Sequence, residues 1–164
     1  MIERLKEIWL DAKQMRDERG LTLIELLVVV VILGIIAAIA VVAIGGLIEN
    51  SRKDAVVSDA KQLVSASKLY TSANPVKAGT SITLGVYREG TAFDPAANEA
   101  KMDEYIDDMK DPFNGDSKYS DAFVKVTAAA NGKYSYVVTL KGDKNYFVTS
   151  TPADLKRDKV AVSQ

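Results

Sequence analysis

Glu25 is the one ionisable residue between Arg19 and Glu49, and it stands directly before residues 26–48, which carry no charge at all. A carboxylate at the mouth of such a run can do two kinds of work. It can complement the dipole of a helix in its first turn, or it can act as a buried charge that demands a cation, because an unpaired carboxylate in apolar surroundings is costly. Gly20, five residues earlier, offers an uncrowded backbone suited to entering a protein cleft in extended form. Other chemistry is thin. The chain has no Cys and no His, which excludes thiol nucleophiles, disulfides, Cys/His zinc sites and His-based triads. Carboxylates, Lys, Tyr, Ser and Thr remain, without a nucleophile–base pair or a phosphate loop. The expectation is a protein that is not an enzyme and holds no cofactor.

The elements around Glu25 follow from composition. The chain has 164 residues and a net charge of −1, so nothing global points to nucleic acid as the main partner. Residues 1–20 form a charged leader with five basic and five acidic residues. Its apolar positions Ile2, Leu5, Ile8, Trp9, Ala12 and Met15 recur at helical spacing, which fits either a solvated, weakly helical tail or a short helix resting on a membrane. The 23 residues 26–48 span roughly 34 Å as a helix, enough for a ~30 Å hydrocarbon layer. The run exceeds a signal-peptide core and no A-x-A-like site follows it, so a transmembrane helix is expected. The Lys/Arg balance across it gives a slight bias toward an inside N-terminus.

The helical pattern continues past the apolar run. Val56, Ala60, Leu63, Ser67 and Tyr70 make a stripe with Ala55, Val64 and Ala66 beside it, and Pro75 ends it. The spacing predicts one helix from about Thr22 to about Thr71, with a second, amphipathic half over 49–73 that needs a partner surface. That partner is expected in 74–164: a strand at 81–84, a helix capped by Asn98 with Met102, Tyr105, Ile106 and Met109 as its apolar positions, and strands at 122–127, 133–140 and 146–150. Asn131-Gly132 and Gly142-Asp143 read as hairpin turns. The fold class is α+β, a long N-terminal helix packed on a C-terminal antiparallel meander. Tyr134, Tyr136, Tyr146 and Phe147 read as core or sheet-face residues. The tail from Thr151, with Lys156, Arg157 and Lys159, reads as loose and solvated.

The segment Gly20-Leu21-Thr22-Leu23-Ile24-Glu25-Leu26-Leu27-Val28-Val29 closely resembles the cleavage and methylation motif of type IV prepilins and type II secretion pseudopilins. The resemblance covers residues 19–48. It implies that a membrane aspartyl prepilin peptidase cuts between Gly20 and Leu21 and methylates the new Leu21 amine. It further implies that Glu25, with Thr22, sets register in a homopolymeric filament, and that an assembly platform and its ATPase draw subunits from the lipid, with minor pilins as possible further partners. The protein would sit in the cytoplasmic membrane before assembly and in a pilus at the cell surface afterwards. Whether the filament serves motility, adhesion, DNA uptake and competence, or secretion is left open by the motif, as is contact with DNA or a host surface. The alternative is a single-pass membrane-anchored binding protein that does not polymerise.

Such pilins often carry a proline in the second half of the apolar helix, where this chain has Val42. Gly34, Gly45 and Gly46 are then the candidates for helix flexibility, since each glycine costs about 1 kcal/mol in a helix interior. Small residues that allow close helix packing are the other reading. An acidic stretch, Asp107, Asp108, Asp111, Asn114, Asp116 and Asp121, is loosely similar to the Asp-Pro-aromatic stretch near a calcium site of major pseudopilins. The spacing is not that of an EF-hand. An ordinary solvated turn is expected, with no metal, and Asp111, Asn114 and Asp116 are the calcium candidates if one binds.

Overall fold

The computed structural model of the chain describes residues 3, 4, 6–10, 22–115 and 117–161. The chain divides into two compact units, Met1–Gly46 and Leu47–Gln164. In the first, residues 3, 4 and 6–10 are helical. The long helix α1, Leu23–Ala73, begins in this unit and supplies all of its second half to the other. Every large apolar side chain from Leu23 to Ile48 is at least 45 % exposed. The helix survives this because its backbone bonds are all internal, which is what an apolar medium requires. A contiguous apolar surface of this extent marks a region covered by lipid or by other protein.

The second unit is a six-stranded sheet with the amphipathic part of α1 on one face. Its strands are β1 Ser81–Arg88, β2 Thr91–Ala92, β3 Glu99–Lys101, β4 Asp121–Ala128, β5 Tyr134–Lys141 and β6 Phe147–Ser150. The order is β2-β1-β4-β5-β6, and β3 pairs with β1 on the edge that β2 also uses. Alternation decides the buried face. Ala122, Val124, Val126 and Ala128 of β4 point inward, as do Val138 and Leu140 of β5 and Leu84 of β1. They meet Val56, Ala60, Leu63 and Val64 of α1, all 4 % exposed or less. Ser67 lies in the same stripe; its hydroxyl donates to the Leu63 carbonyl at 2.7 Å, so no polar group is stranded. The helix stops at Ala73, where the Asn74 amide closes on the Tyr70 carbonyl at 2.7 Å and Pro75 follows.

Four expectations change. The strand placed at 81–84 runs to Arg88 and returns through Glu89 and Gly90, both at positive φ, into the short β2. That two-residue turn matches the strand twist. The helix expected after Asn98 does not form. Asn98 has φ 61° and its carbonyl accepts from the Thr83 amide, so the chain is held against β1 and continues as β3, parallel to it. A single turn, rather than a helix face, buries Met102 and packs the partly buried Tyr105 and Ile106 against the core. The sheet is therefore antiparallel except for this β1–β3 pair. The segment from Thr151 is not loose either. It makes two 3-10 turns, Pro152–Asp154 and Arg157–Lys159, buries Leu155 and Val160, and binds Asp54 of α1 through the Arg157 guanidinium, with Nε to Oδ1 at 2.6 Å.

β1 is buried on both faces between Leu84 and Tyr87 because the Phe93 ring lies over Gly85. A Cβ at Gly85 would stand 2.2 Å from the Phe93 Cδ2 atom. Gly85→Ala is expected to displace that ring and cost about 1–3 kcal/mol, read as a lowered urea midpoint for the detergent-solubilised chain. Phe93→Ala combined with Gly85→Ala should cost less than the two single changes summed, because the clash is then gone.

Candidate functional site

Thr22 and Glu25 form a reciprocal cap at the start of α1. The Thr22 amide donates to Glu25 Oε2 at 2.7 Å and the Thr22 hydroxyl donates to the same oxygen at 2.8 Å. The Glu25 amide in turn donates to Thr22 Oγ1 at 3.3 Å. This is a capping box, and it satisfies donors that a helix start otherwise leaves open. Both carboxylate bonds fall on Oε2. Among the described residues nothing bonds Oε1. Thr22 and Glu25 are both exposed. Gly20 and Leu21 lie outside the described residues.

Gly34, Gly45 and Gly46 are all helical. A Cβ at any of them would meet nothing within 4 Å. No described side chain of the subunit packs against these three positions.

The other acidic region is organised as a fastening. Asp111 is fully buried. Its Oδ1 accepts from the Tyr146 hydroxyl at 2.6 Å and the Phe113 amide at 2.9 Å, and its Oδ2 from the Asp143 amide at 2.7 Å. The β5–β6 turn is thus tied to the 111–113 segment. The fit is close: a Cβ at Gly142 would lie 1.9 Å from Asp111 Oδ2. Tyr119 packs edge-on to Tyr146 and donates to Asp59 of α1 at 2.6 Å. Burial pushes both tyrosine hydroxyls up, reinforced by the carboxylates they bond. Burial also raises Asp59, against the Tyr119 bond that lowers it, and the nearby Asp111 charge adds to the rise.

Of the calcium candidates, Asp111 thus spends both oxygens on protein donors. Asn114 sits in the turn that follows, its amide bonded to the Asp111 carbonyl, and Asp116 lies outside the described residues. Among the described residues no group of three or more acidic side chains is arranged to hold a metal ion. Lys156 and Lys159 are exposed, and Arg157 is taken by Asp54. A cleft of about 1050 Å³ runs between α1 and residues 103–112, lined by Ser58, Gln62, Leu69 and the acidic Asp103, Glu104 and Asp107.

The region around the cap matches a known pattern. The sequence model of a family described as the prokaryotic N-terminal methylation motif matches residues 15–41. Over 102 residues, 62 % of this chain and 72 % of the relative, the sequence is 33 % identical to the type II secretion system core protein G of Klebsiella michiganensis. The chain belongs to the type IV pilin and pseudopilin family. No solved structure matches it. For a pilin, the two halves of α1 have different surroundings to satisfy. The half beyond Asn50 is covered by the subunit's own sheet, and the half before it is long and apolar enough to cross a membrane.

Sequence reasoning took Glu25 as a lone first-turn acid or a register charge. It missed the cap, although Thr-x-x-Glu before an apolar run is its signature. It also missed the Asp111 fastening, for which the sequence carries no signal: the donors come from residues 2, 32 and 35 positions away.

Proposed function

We propose that this pilin is made as a membrane-anchored precursor, cut between Gly20 and Leu21 by a prepilin peptidase that also methylates the Leu21 amine, and assembled into a filament. The platform and ATPase of an assembly system draw it from the lipid. Residues 21–48 pass from lipid into the filament core, 49–73 hold the head, and 74–164 form the outer surface. The match to a type II secretion core protein favours a secretion pseudopilus among the filaments of this family.

The observation that carries this reading is the Thr22–Glu25 cap at the head of a helix whose large apolar side chains from Leu23 to Ile48 are all exposed. The cap holds the carboxylate at the helix start through Oε2. Cutting after Gly20 frees an amine at Leu21, and the Leu21 amine of a neighbouring subunit is the cation that Oε1 can take. Packing that removes the apolar helices from lipid also removes this pair from water, so a wrong axial register leaves a buried charge unpaired and is disfavoured.

The test is to shear cells that express the protein and size it by mass spectrometry. Filaments should contain a form lacking residues 1–20 and carrying one methyl group on Leu21. Full-length protein confined to membranes, and unaffected by Gly20→Val, would instead support a membrane-anchored binding protein.

A further inference from the structure

We infer that the heads of neighbouring copies dock in the filament through opposite charges, the lysine-flanked β4–β5 turn of one copy entering the acidic cleft beside α1 of the next. The inference rests on the filament reading above and adds the surfaces that join the heads. Charge is segregated along the head. Between Asp59 and Glu89 there is no acidic residue but Lys61, Lys68, Lys77 and Arg88. Between Asp121 and Asp143 there is again none, with Lys125, Lys133 and Lys141. From Glu89 to Asp121 there are ten acidic residues and three lysines.

Folding turns this segregation into two patches. The first is one end of the head. The Gly79 amide donates to the Ala128 carbonyl at 2.8 Å and the Val76 amide to the Tyr134 hydroxyl at 3.1 Å. The segment after α1 therefore lies against the β4–β5 turn, and Lys77 and Lys133 share that end. Both are exposed, as are the turn residues Ala129, Ala130, Asn131 and Gly132. The second patch is the cleft of about 1050 Å³, where Ser58, Gln62, Ser65 and Leu69 of α1 are uncovered and Leu69 is 58 % exposed. Asp103, Glu104 and Asp107 line it from the other side. Of its two lysines, Lys110 has a partner of its own and Lys61 is shared with the hollow beside Leu155.

Three facts select a second copy of the chain as the occupant. Asp108, Asp111 and Asp121 are spent inside the head on Lys118, Tyr146 and Lys141. Among the described residues, however, no hydrogen bond or ion pair takes the side chains of Asp103, Glu104, Asp107, Lys77 or Lys133. Each patch crowds like charges, and a surface of the opposite sign relieves both. Next, copies in a filament all run one way, so a contact between them joins two different surfaces and repeats without closing. A basic end and an acidic flank on one chain meet that requirement, and the net charge of −1 leaves little repulsion between whole copies. Last, the exposed turn residues are small, which lets the turn reach the uncovered face of α1 while Lys77 and Lys133 meet the acidic wall.

The test reverses the patches in cells that express the full precursor. One variant carries Lys77→Glu with Lys133→Glu, a second carries Glu104→Lys with Asp107→Lys, and a third carries all four changes. Each reversal of one patch is expected to cut the yield of sheared filaments about tenfold, because like charges then face each other across the contact. The variant with all four changes should recover most of the parent yield. Urea midpoints of the solubilised chains should match the parent throughout, since all four side chains are exposed in the single chain. An unchanged yield from either reversal overturns the inference and leaves the filament reading intact. Two losses that the combined variant does not recover also overturn it, and point to separate partners for the two patches. A yield that falls in step with the urea midpoint overturns it as a folding effect. A parent chain that forms no sheared filaments overturns the filament reading and this inference together.

Discussion

Glu25→Gln is expected to leave cleavage after Gly20 intact and to reduce sheared filaments by roughly tenfold or more. The size of the effect follows from where the carboxylate ends up. In the single chain it is exposed and half-satisfied by Thr22, so its loss there is mild: an amide oxygen can still accept from the Thr22 amide. In the filament proposed above the same position would face a neighbour's amine, and the glutamine would leave that amine charged, buried and unpaired, which is far more costly than removing both partners. Immunoblots of the sheared fraction and of whole cells read the two steps separately. Normal filaments from the glutamine variant would refute the register role. Thr22→Ala serves as the comparison, because it removes the two cap bonds of the Thr22 hydroxyl but keeps the backbone bond and the charge, and its filament yield should fall much less.

Asp111→Ala is expected to be the most damaging single change in the head, lowering stability by about 3–5 kcal/mol. Three donors converge on this carboxylate; its loss would strand the Tyr146 hydroxyl in a buried site and the Phe113 and Asp143 amides in partly buried ones. Against the ~5–15 kcal/mol that holds a domain of this size together, the loss would leave the head largely unfolded on mild warming. Urea titration of the solubilised chain by circular dichroism measures it. Two companions make the cause specific. Tyr146→Phe removes one of the three donors and should cost about 1–2 kcal/mol. Asp143→Ala keeps the backbone amide that Asp111 uses and should cost little by this route. Equal losses for all three variants would argue against the fastening.

What was legible in the sequence was what repeats locally. The apolar run, the stripe from Val56 to Tyr70 and the alternation of 122–127 each announce themselves within a few turns or strand repeats, and α1, β4 and β5 lie within two residues of the positions expected. The helix expected after Asn98 shows the limit. Met102, Tyr105, Ile106 and Met109 do have helical spacing, but the adjacent 99–101 backbone finds its partner in Thr83–Gly85 of β1, a pairing that no local periodicity announces. The tail failed for the same reason. Arg157 looks solvated until its partner Asp54, 103 positions earlier, is placed beside it. At the site the motif residues were plain from their types, whereas the division of Glu25 into a capped oxygen and an open one needed coordinates.

The Asp54–Arg157 clasp and the burial of Leu155 and Val160 have a consequence for biogenesis. The amphipathic half of α1 emerges first, yet part of the core that covers it comes from residues more than a hundred positions later. A ribosome that has delivered α1 to a membrane must therefore go on to make nearly the whole sheet before the head can close. Until then the core that covers the amphipathic half of α1 is incomplete, and the head cannot reach its final packing.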